Sequence, residues 1–387
     1  MTPMTHRAPL PKPAPARVLA CGAYLKNTAC LIQGTQVLWS APHGDLTGAL
    51  QREALEASVD ALLAAASGPL DAVAHDLHPD FHSTLLAQAL AHRLGIPAVA
   101  VQHHHAHIAV VQAEQAVETP VIGLALDGVG LGVDGLAWGG EVLWVAGGAD
   151  AHLWSREAHL APLAMPGGDV AAREPWRLAA AVLHAAGRGD EIAARFAPVV
   201  GALATGTLRR QLARRLHCPE TTSAGRWFDA AAGALGISVR QSVDAEAAIA
   251  LEKLAREFLL THPSFDVPWT SLDPSALVAD LFELSGLGEA ERQRGAARFH
   301  LGLAAGLAHN AIDAARRQNV RTVVLGGGCF LNRVLRERLT TSLEVAGLTV
   351  RRPDTVPCGD AGLALGQAWI AACEVDSRRA PPPSRTH

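Results

Sequence analysis

The chain contains 387 residues, of which 49% are hydrophobic and 18% charged, so it is a globular chain long enough for two or three folding units of roughly 100 to 200 residues each. Its net charge of −4 and the lack of a basic run argue against a nucleic-acid-binding protein. No apolar run reaches the roughly 20 residues that a membrane span needs. The amino terminus, MTPMTHRAPLPKPAPA, is rich in proline and lacks the apolar core of a signal peptide. We therefore predict a disordered leader over residues 1–16 and a cytoplasmic protein.

The amino-terminal part of the chain predicts an α/β lobe over residues 17–120. The stretch RVLACGAYLKNTACLIQGTQVLWS predicts two strands joined by a turn around Lys26 and Asn27. The helical period of LTGALQREALEASVDALLAAA predicts a helix, and strands are predicted over residues 71–74 and 96–101. Strands thus alternate with helices in this lobe.

The remaining part predicts another α/β lobe over residues 121–373. TPVIGLALDGVGLGVDGLAWGGEVLWVAG reads as two strands joined by a glycine-rich turn. A helical insertion follows at about residues 170–320, then NVRTVVLGGGCFLN predicts a strand, a glycine turn and a helix start. AGLALGQAWIAAC predicts a closing helix, and the proline-rich residues 374–387 predict a disordered tail. We expect a ligand cleft between the lobes.

The stretch VQHHHAHIA places four histidines in five positions. If a helix begins near His103, then His103 and His107 lie one turn apart on one face, as two ligands of Zn²⁺ or Fe²⁺ do. Such pairs also occur by chance in helices. His104 and His105 are expected to be solvated or to lie beside the ligands.

Two aspartates follow or precede predicted elements at places suited to a metal site. Asp127 ends a predicted strand beside a glycine turn, and Asp360 lies where the closing helix begins. A catalytic site adds one or two carboxylates to the imidazoles and leaves a position open for substrate. Because Asp also favours helix starts and turns, both residues remain open to interpretation as simple caps.

Three further segments suggest a nucleotide or phosphate site. Gly326, Gly327 and Gly328 join a strand to a helix, so their backbone N–H groups could approach a phosphate, although the spacing fits no dinucleotide or P-loop fingerprint. The turn LKNT offers a cation, an amide and a hydroxyl, or is a solvated turn. Asp229 could accept ribose hydroxyls, or be an exposed helical residue.

Taken together, the sequence resembles the carboxy-terminal half of the HypF family, the carbamoyltransferases that mature [NiFe]-hydrogenases. The match runs in order from about residue 17 to 373 through LKNT, APHGDL, HDLHPDFHST, VQHHHAHIA, LDGVGLGVDGLAWGGE, MPGGDVAAREPWR, TTSAGRWFDA, RFHLGLA, LGGGCFLN and GDAGLALGQ. The DLHP, HHHAH and WGGE stretches are highly specific to that family.

The resemblance implies a two-lobed α/β fold of the actin/Hsp70/sugar-kinase (ribonuclease H-like) type with a helical insertion. It implies a metal ion, Zn²⁺ or Fe²⁺, and a nucleotide, ATP or carbamoyl-adenylate, with Mg²⁺ as a further candidate cofactor. The implied metal ligands are His103, His107, Asp127 and Asp360. The candidate nucleotide-binding residues are Asn27, Thr28, Gly128, Asp229, Gly326, Gly327, Gly328 and Asn332. The candidate catalytic residues are Lys26, His103 and His107.

In the family, carbamoyl phosphate and ATP give carbamoyl-adenylate, whose carbamoyl group passes to the carboxy-terminal cysteine of HypE and ends as the cyanide ligand of iron. The resemblance therefore implies HypE as partner, while net charge and the short apolar runs predict no nucleic-acid or membrane partner. No segment matches the amino-terminal domains of the family, so we expect a truncated member, which either acts alone or receives the intermediate from a separate adenylating protein.

Two local departures from the family are expected to matter. QSVDAEAA has Val243-Asp244-Ala245 where the family usually reads Tyr-Glu-Gly, which would weaken a contact near the nucleotide. Gly359 replaces an expected asparagine before Asp360, which would loosen the helix start.

Two other functions remain open at the level of sequence. The chain would be a binding module if it docked HypE without catalysis, although a scaffold has no need for four metal ligands. It would be a tRNA threonylcarbamoyl transferase if the shared fold carried that reaction, although the acidic balance and the HHHAH and WGGE stretches argue against it.

Overall fold

The computed structural model describes residues 4–379, in which two β-sheets are flanked by helices. The first sheet has six strands in the order β1-β4-β3-β2-β5-β6. These are β1 (Met4–Pro9), β2 (Val18–Ala20), β3 (Cys30–Gln33), β4 (Gln36–Ser40), β5 (Ala72–Asp76) and β6 (Ala98–Val101). The helices that accompany them are α1 (Ala49–Ala64), α2 (His82–Leu94) and α3 (His103–Gln115). Strands β2, β5 and β6 run parallel, so their carboxyl ends meet at one edge.

The amino terminus departs from the predicted disordered leader. Strand β1 pairs antiparallel with β4, with Ala8 opposite Val37, and Leu10 is buried behind it. Hydrogen bonding to a sheet edge and burial of a leucine tie this segment down. The prediction of disorder is therefore wrong from residue 4 to residue 16.

The predicted first hairpin is correct in pairing but not in its turn. Strands β2 and β3 are antiparallel, as expected, but residues 21–29 between them form a long connection rather than a tight turn. The tight turn lies at Gly34, between β3 and β4, where φ is +52°. A glycine at positive φ suits such a turn. The prediction placed the turn at the LKNT stretch instead, because its residues are polar.

The second sheet contains seven strands, six of them in the order β10-β11-β8-β7-β12-β13, with β9 paired to β8. They are β7 (Val121–Leu131), β8 (Ala137–Val145), β9 (Trp154–His159), β10 (Leu163–Ala164), β11 (Glu220–Thr221), β12 (Thr322–Gly326) and β13 (Thr349–Arg351). Strands β7 and β8 form the predicted hairpin, and β12 runs parallel to β7.

The predicted helical insertion is present. Its helices are α4 (Asp169–Arg173), α5 (Pro175–Ala185), α6 (Glu191–Val200), α7 (Ala202–Arg214), α8 (Ala224–Ala234), α9 (Glu246–Thr261), α10 (Ser275–Leu281) and α11 (Glu289–Arg317). They share one hydrophobic core with the second sheet, built around Trp176, Trp227 and Phe299. The chain closes with α12 (Arg333–Val345) and α13 (Leu363–Arg379).

Helix α13 does not belong with the lobe in which the sequence placed it. Its apolar face packs with α3 against the first sheet, in a core that includes Ala364, Trp369 and Val101. The other face of α3 contacts β7 and β12 through Ile108 and Val111. Helix α3 is thus buried between the two sheets, which explains its nearly continuous burial.

Residues 374–379 depart from the predicted disordered tail. Helix α13 continues to Arg379, because Val375 is buried and Arg379 pairs with Asp71 at 2.7 Å. The prediction is wrong for residues 374–379, and the rest of the tail lies outside the described residues. Over the described part of the chain, none of the helices combines the length and apolarity that crossing a bilayer requires.

Candidate metal centre

Helix α3 begins at His103, as predicted, directly after the carboxyl end of β6. The side chain of Gln102 accepts a hydrogen bond from the backbone N–H of His105 and so caps the helix. His103 and His107 then lie one turn apart with ring centroids 4.9 Å from each other. Both imidazoles are buried, and both direct Nε2 towards the second sheet.

Asp127 meets both imidazoles from the second sheet. Its Oδ2 lies 3.2 Å from Nε2 of His103 and 3.1 Å from Nε2 of His107. The sequence placed Asp127 at the end of a strand, whereas β7 continues to Leu131 and carries Asp127 at an irregularity in its pairing with β8. A bulge re-aims a side chain within a strand, which explains how Asp127 leaves the sheet surface.

Asp360 completes the cluster from the turn before α13. Its Oδ1 lies 3.5 Å from Nε2 of His103 and 3.6 Å from Nε2 of His107. Gly359 has an extended backbone that any residue adopts, so the expected loosening by this glycine has no sign in the backbone. One ligand atom from each of the four predicted residues lies within 4.8 Å of the others.

A fifth residue, Asp76, was missed by the sequence analysis. It ends β5, the parallel neighbour of β6, and its Oδ2 lies 2.8 Å from Nδ1 of His103. A carboxylate at Nδ1 fixes the tautomer and leaves Nε2 free to bind a metal ion. The HDLHP stretch at the end of a predicted strand was the available signal for this residue.

The charges of the cluster fit a divalent cation. Burial lowers the pKa of His103, but hydrogen bonds to neighbouring carboxylates outweigh burial and hold that pKa well above its usual range. Burial raises the pKa of Asp127, but hydrogen bonds from His103 and His107 outweigh it and hold that pKa well below its usual range. Two buried imidazoles and two half-buried carboxylates suit Zn²⁺ or Fe²⁺, and a cation would relieve the repulsion between the carboxylates.

The remaining histidines of the stretch are not solvated. His104 and His105 are both buried, at 0% and 1% exposure. The ring of His104 lies edge-on to that of His103, with the centroids 5.3 Å apart, which agrees with a supporting position. Nε2 of His105 instead lies 2.8 Å from the carbonyl oxygen of Ala151. Burial lowers the pKa of His105 to about 3, so His105 is a neutral core residue.

The turn LKNT contributes one exposed cation and two structural residues. Lys26 lies at the rim, where Nζ pairs with Asp244 at 3.1 Å and both side chains are 60% exposed. Asn27 is buried, and Nδ2 donates to the carbonyl oxygens of Cys21 and Ala23, so its position does not support the predicted nucleotide contact.

Thr28 links this turn to the metal cluster. Its Oγ1 donates to the carbonyl oxygen of Ala361 at 2.7 Å, next to Asp360. The hydroxyl is therefore committed to the turn that carries a ligand, and Thr28 supports the cluster rather than contacting a nucleotide through its side chain.

The glycine turn after β12 lies directly against the cluster. Gly327 has φ of +103°, which favours glycine, and the N–H of Gly328 donates to Oδ1 of Asp127 at 3.2 Å. A Cβ at Gly326 would lie 2.8 Å from the carbonyl oxygen of His107. Gly128 adjoins Asp127 in the bulge of β7. These glycines let three segments approach closely, as a bound phosphate also requires.

Asp229 is buried on α8, not exposed as a helical aspartate commonly is. Its Oδ2 lies 3.0 Å from Nη2 of Arg226, and Oδ1 accepts from Gln241 at 3.3 Å. Burial raises the pKa of Asp229 to about 6, although Arg226 acts in the opposite direction. A buried acid with a perturbed pKa agrees with a binding role.

Asn332 has a structural role at the start of α12. Its Oδ1 accepts from the N–H of Leu335 at 3.0 Å, and Nδ2 lies 2.9 Å from Nε2 of His300. Nδ1 of His300 donates to the carbonyl oxygen of Ala296 at 2.8 Å, so Nε2 accepts from Asn332. Both ends of the Asn332 amide are thus occupied, which does not support a nucleotide contact through this side chain.

This arrangement predicts a pH dependence of stability. Burial lowers the pKa of His300 to about 4, against an ordinary value of 6.5. The unfolded chain therefore binds the proton more tightly, and the stability contributed by His300 is lost as the pH falls from 6.5 towards 4. As the pH falls from 7.5 to 5, we expect His300 to cost the wild-type protein about 2 kcal/mol of its free energy of unfolding. The His300→Gln variant should not show this loss. Urea titrations of both proteins measure it, and equal pH slopes would contradict it.

Comparison with known proteins agrees with the resemblance seen in the sequence. A family model described as "HypF Kae1-like domain" matches residues 13–114, and one described as "Carbamoyltransferase, Kae1-like Domain, second subdomain" matches residues 123–367. The solved structure of a full-length HypF in its phosphate- and nucleotide-bound form is 29% identical, with a TM-score of 0.79. The matched region covers 95% of this chain and 47% of the solved chain. This similarity confirms the predicted two-lobed fold.

Two relatives come from Cupriavidus necator. "Carbamoyltransferase HypF homolog" is 55% identical over 374 residues, which are 95% of this chain and 94% of the relative. "Carbamoyltransferase HypF2" is 46% identical over 379 residues, 92% of this chain but 46% of the relative. The chain thus spans nearly all of one relative and about half of the other. It belongs to the HypF family of carbamoyltransferases.

Proposed function

We propose that this chain transfers a carbamoyl group from carbamoyl-adenylate to the carboxy-terminal cysteine of a HypE-type protein during [NiFe]-hydrogenase maturation. The observation that carries the proposal is the cluster between the two sheets, in which the buried His103 and His107 meet the half-buried Asp127 and Asp360. Membership of the HypF family supports carbamoyl transfer as the reaction, and the cluster supports a metal-assisted site for that reaction.

Different residues around the cluster would contact the phosphate and the ribose of the donor. Backbone groups of Gly327 and Gly328 would lie along the phosphate, and the buried carboxylate of Asp229 would accept ribose hydroxyls. The related HypF structure in a phosphate- and nucleotide-bound form supports a nucleotide here. A Zn²⁺ or Fe²⁺ ion on the cluster would supply Lewis acidity towards the carbamoyl or phosphate oxygens, with Mg²⁺ as a further candidate beside the nucleotide phosphate.

The transfer itself is a substitution at the carbamoyl carbon. The cysteine thiolate of the acceptor attacks that carbon, a C–S bond forms, and the C–O bond to the phosphate breaks as AMP leaves with the electron pair. Lys26, released from Asp244, would place its ammonium against the charge on the departing phosphate. Holding both reactants in one cleft supplies orientation, and the surrounding lobes shield the activated carbamoyl group from water.

The donor follows from the chemistry of the family, which makes carbamoyl-adenylate from carbamoyl phosphate and ATP. We propose that this chain takes carbamoyl-adenylate that a separate adenylating protein supplies.

A transfer assay tests the proposal directly. Metal-loaded protein, a HypE-type acceptor and synthetic carbamoyl-adenylate should give an acceptor heavier by one carbamoyl group in mass spectrometry, and an acceptor with Cys→Ser at its carboxy terminus should stay unmodified. Carbamoyl phosphate plus ATP should give modification only when an adenylating protein is added. Absence of modification from either donor would sink the proposal. Full maturation in cells by His103→Ala would instead favour a docking scaffold, and tRNA binding at low salt would favour threonylcarbamoyl transfer.

A further inference from the structure

Glu141 is a buried carboxylate that no step above uses. It lies on β8 in the WGGE stretch, with 0% exposure. Its Oε1 accepts hydrogen bonds from the N–H groups of Gly139 and Gly140, both at 3.1 Å, and from Oγ1 of Thr222 at 2.5 Å. Its Oε2 accepts a hydrogen bond from Nε of Arg156 at 2.7 Å. A buried carboxylate with this many donors holds several segments at fixed spacing.

One of those segments leads to the metal cluster. Ser223 follows Thr222 and caps α8 by accepting from the N–H of Arg226. Its Oγ lies 2.8 Å from the carbonyl oxygen of Asp127 and 2.6 Å from that of Gly128. The hydroxyl therefore holds the bulge of β7 at the residue that supplies a carboxylate to both histidines.

The same segments touch a second time at Gly139. A Cβ there would lie 2.7 Å from the carbonyl oxygen of Asp127 and 3.0 Å from Cα of Ser223. Gly139 is thus wedged between the bulge and the start of α8, and Glu141 binds its N–H. Since interiors at this density transmit displacement, a shift of Glu141 moves both contacts on Asp127.

We propose that Glu141 is a positioning residue, which fixes Thr222, Ser223 and Gly139 so that the bulge aims the carboxylate of Asp127 at His103 and His107. The inference rests on the metal site of the proposed function and adds a determinant of its metal affinity. Nε of Arg156 lies 2.7 Å from Oε2 of Glu141, and its guanidinium lies over the ring of Trp138, 3.8 Å from the centroid, which holds the carboxylate in place.

The test measures zinc affinity by competition with a chromophoric chelator in Glu141→Gln, Ser223→Ala and the double variant. The amide of glutamine cannot accept from all four donors, so Glu141→Gln should release the start of α8. Each single change should weaken zinc binding by about 10- to 100-fold, the range found for groups that orient metal ligands. Both residues act through the same contacts on Asp127. The zinc affinity of the double variant should therefore equal that of the single variant with the larger loss.

Two controls separate positioning from general loosening. Glu157→Gln removes a neighbouring carboxylate on β9 that binds Ser155 and Gln318 and has no contact with the bulge, and it should leave zinc affinity within about twofold. If Glu141→Gln does not fold, the zinc affinities of Thr222→Val and Thr222→Ser test the inference instead. The serine variant keeps the hydroxyl and should keep its zinc affinity, whereas the valine variant should lose affinity.

Three results would overturn the inference: unchanged zinc affinity in folded Glu141→Gln or Thr222→Val, fully additive losses in the double variant, or an equal loss in Glu157→Gln. Wild-type protein that binds no zinc would also overturn it. Wild-type protein that binds zinc but transfers no carbamoyl group would refute the proposed function and leave the positioning role to be judged by the affinities alone.

Discussion

His103→Ala and His107→Ala are each expected to lower the metal content of the purified chain from about one ion to a small fraction of that, and to abolish carbamoyl transfer. Each imidazole is one of four candidate ligands whose ligand atoms lie within 4.8 Å of one another, and each contacts Asp127 and Asp360. Removing one leaves two close carboxylates with a single imidazole, which cannot hold the ion tightly. Elemental mass spectrometry after zinc or iron reconstitution measures the loss.

The matched control is His309→Ala. His309 also lies on a helix and pairs with a carboxylate, that of Asp313 at 3.5 Å, but it is about half exposed and remote from the cluster. It should keep full metal content and transfer. Asp76→Asn should give an intermediate result, about 10- to 100-fold weaker metal binding, because His103 keeps its ring but loses the carboxylate that fixes its tautomer. Metal content that survives both histidine substitutions would refute the ligand assignment.

The sequence predicted the parts of the site that depend on local spacing. His103 and His107 share a face because helical periodicity alone requires it once α3 begins at His103. Asp127 and Asp360 joined them only through the family resemblance, because nothing local brings β7 and the turn before α13 together.

The residues that the sequence did not predict depend on tertiary packing. Asp76 acts because β5 lies beside β6 in a parallel sheet, and Glu141 acts because β8 adjoins the start of α8. His104 and His105 were expected to be solvated or to lie beside the ligands, and neither is solvated, because α3 lies between two sheets and has no solvated face at its start. Local periodicity does not show how many sides of a helix a fold will cover.

Gly366→Ala is expected to destabilise the chain by about 3 kcal/mol or more and to disrupt the metal cluster. Gly366 lies on α13 where it crosses α3, and a Cβ there would be 1.9 Å from the carbonyl oxygen of Ala106 and 2.7 Å from its carbonyl carbon. Both obstacles are backbone, so no side chain can turn aside and the two helices must separate.

That separation has a functional consequence, because Ala106 lies between His103 and His107 while Asp360 immediately precedes α13. We therefore expect Gly366→Ala to lose metal affinity as well as stability. Gly206→Ala is the matched control: Gly206 is also helical, on α7, with open space at its Cβ, so it should gain about 0.5 to 1 kcal/mol. Urea unfolding and zinc competition on both variants measure the two effects. A Gly366→Ala protein within about 0.5 kcal/mol of wild type would show that α3 and α13 tolerate separation, and that the close crossing of these helices does not set the geometry of the metal centre.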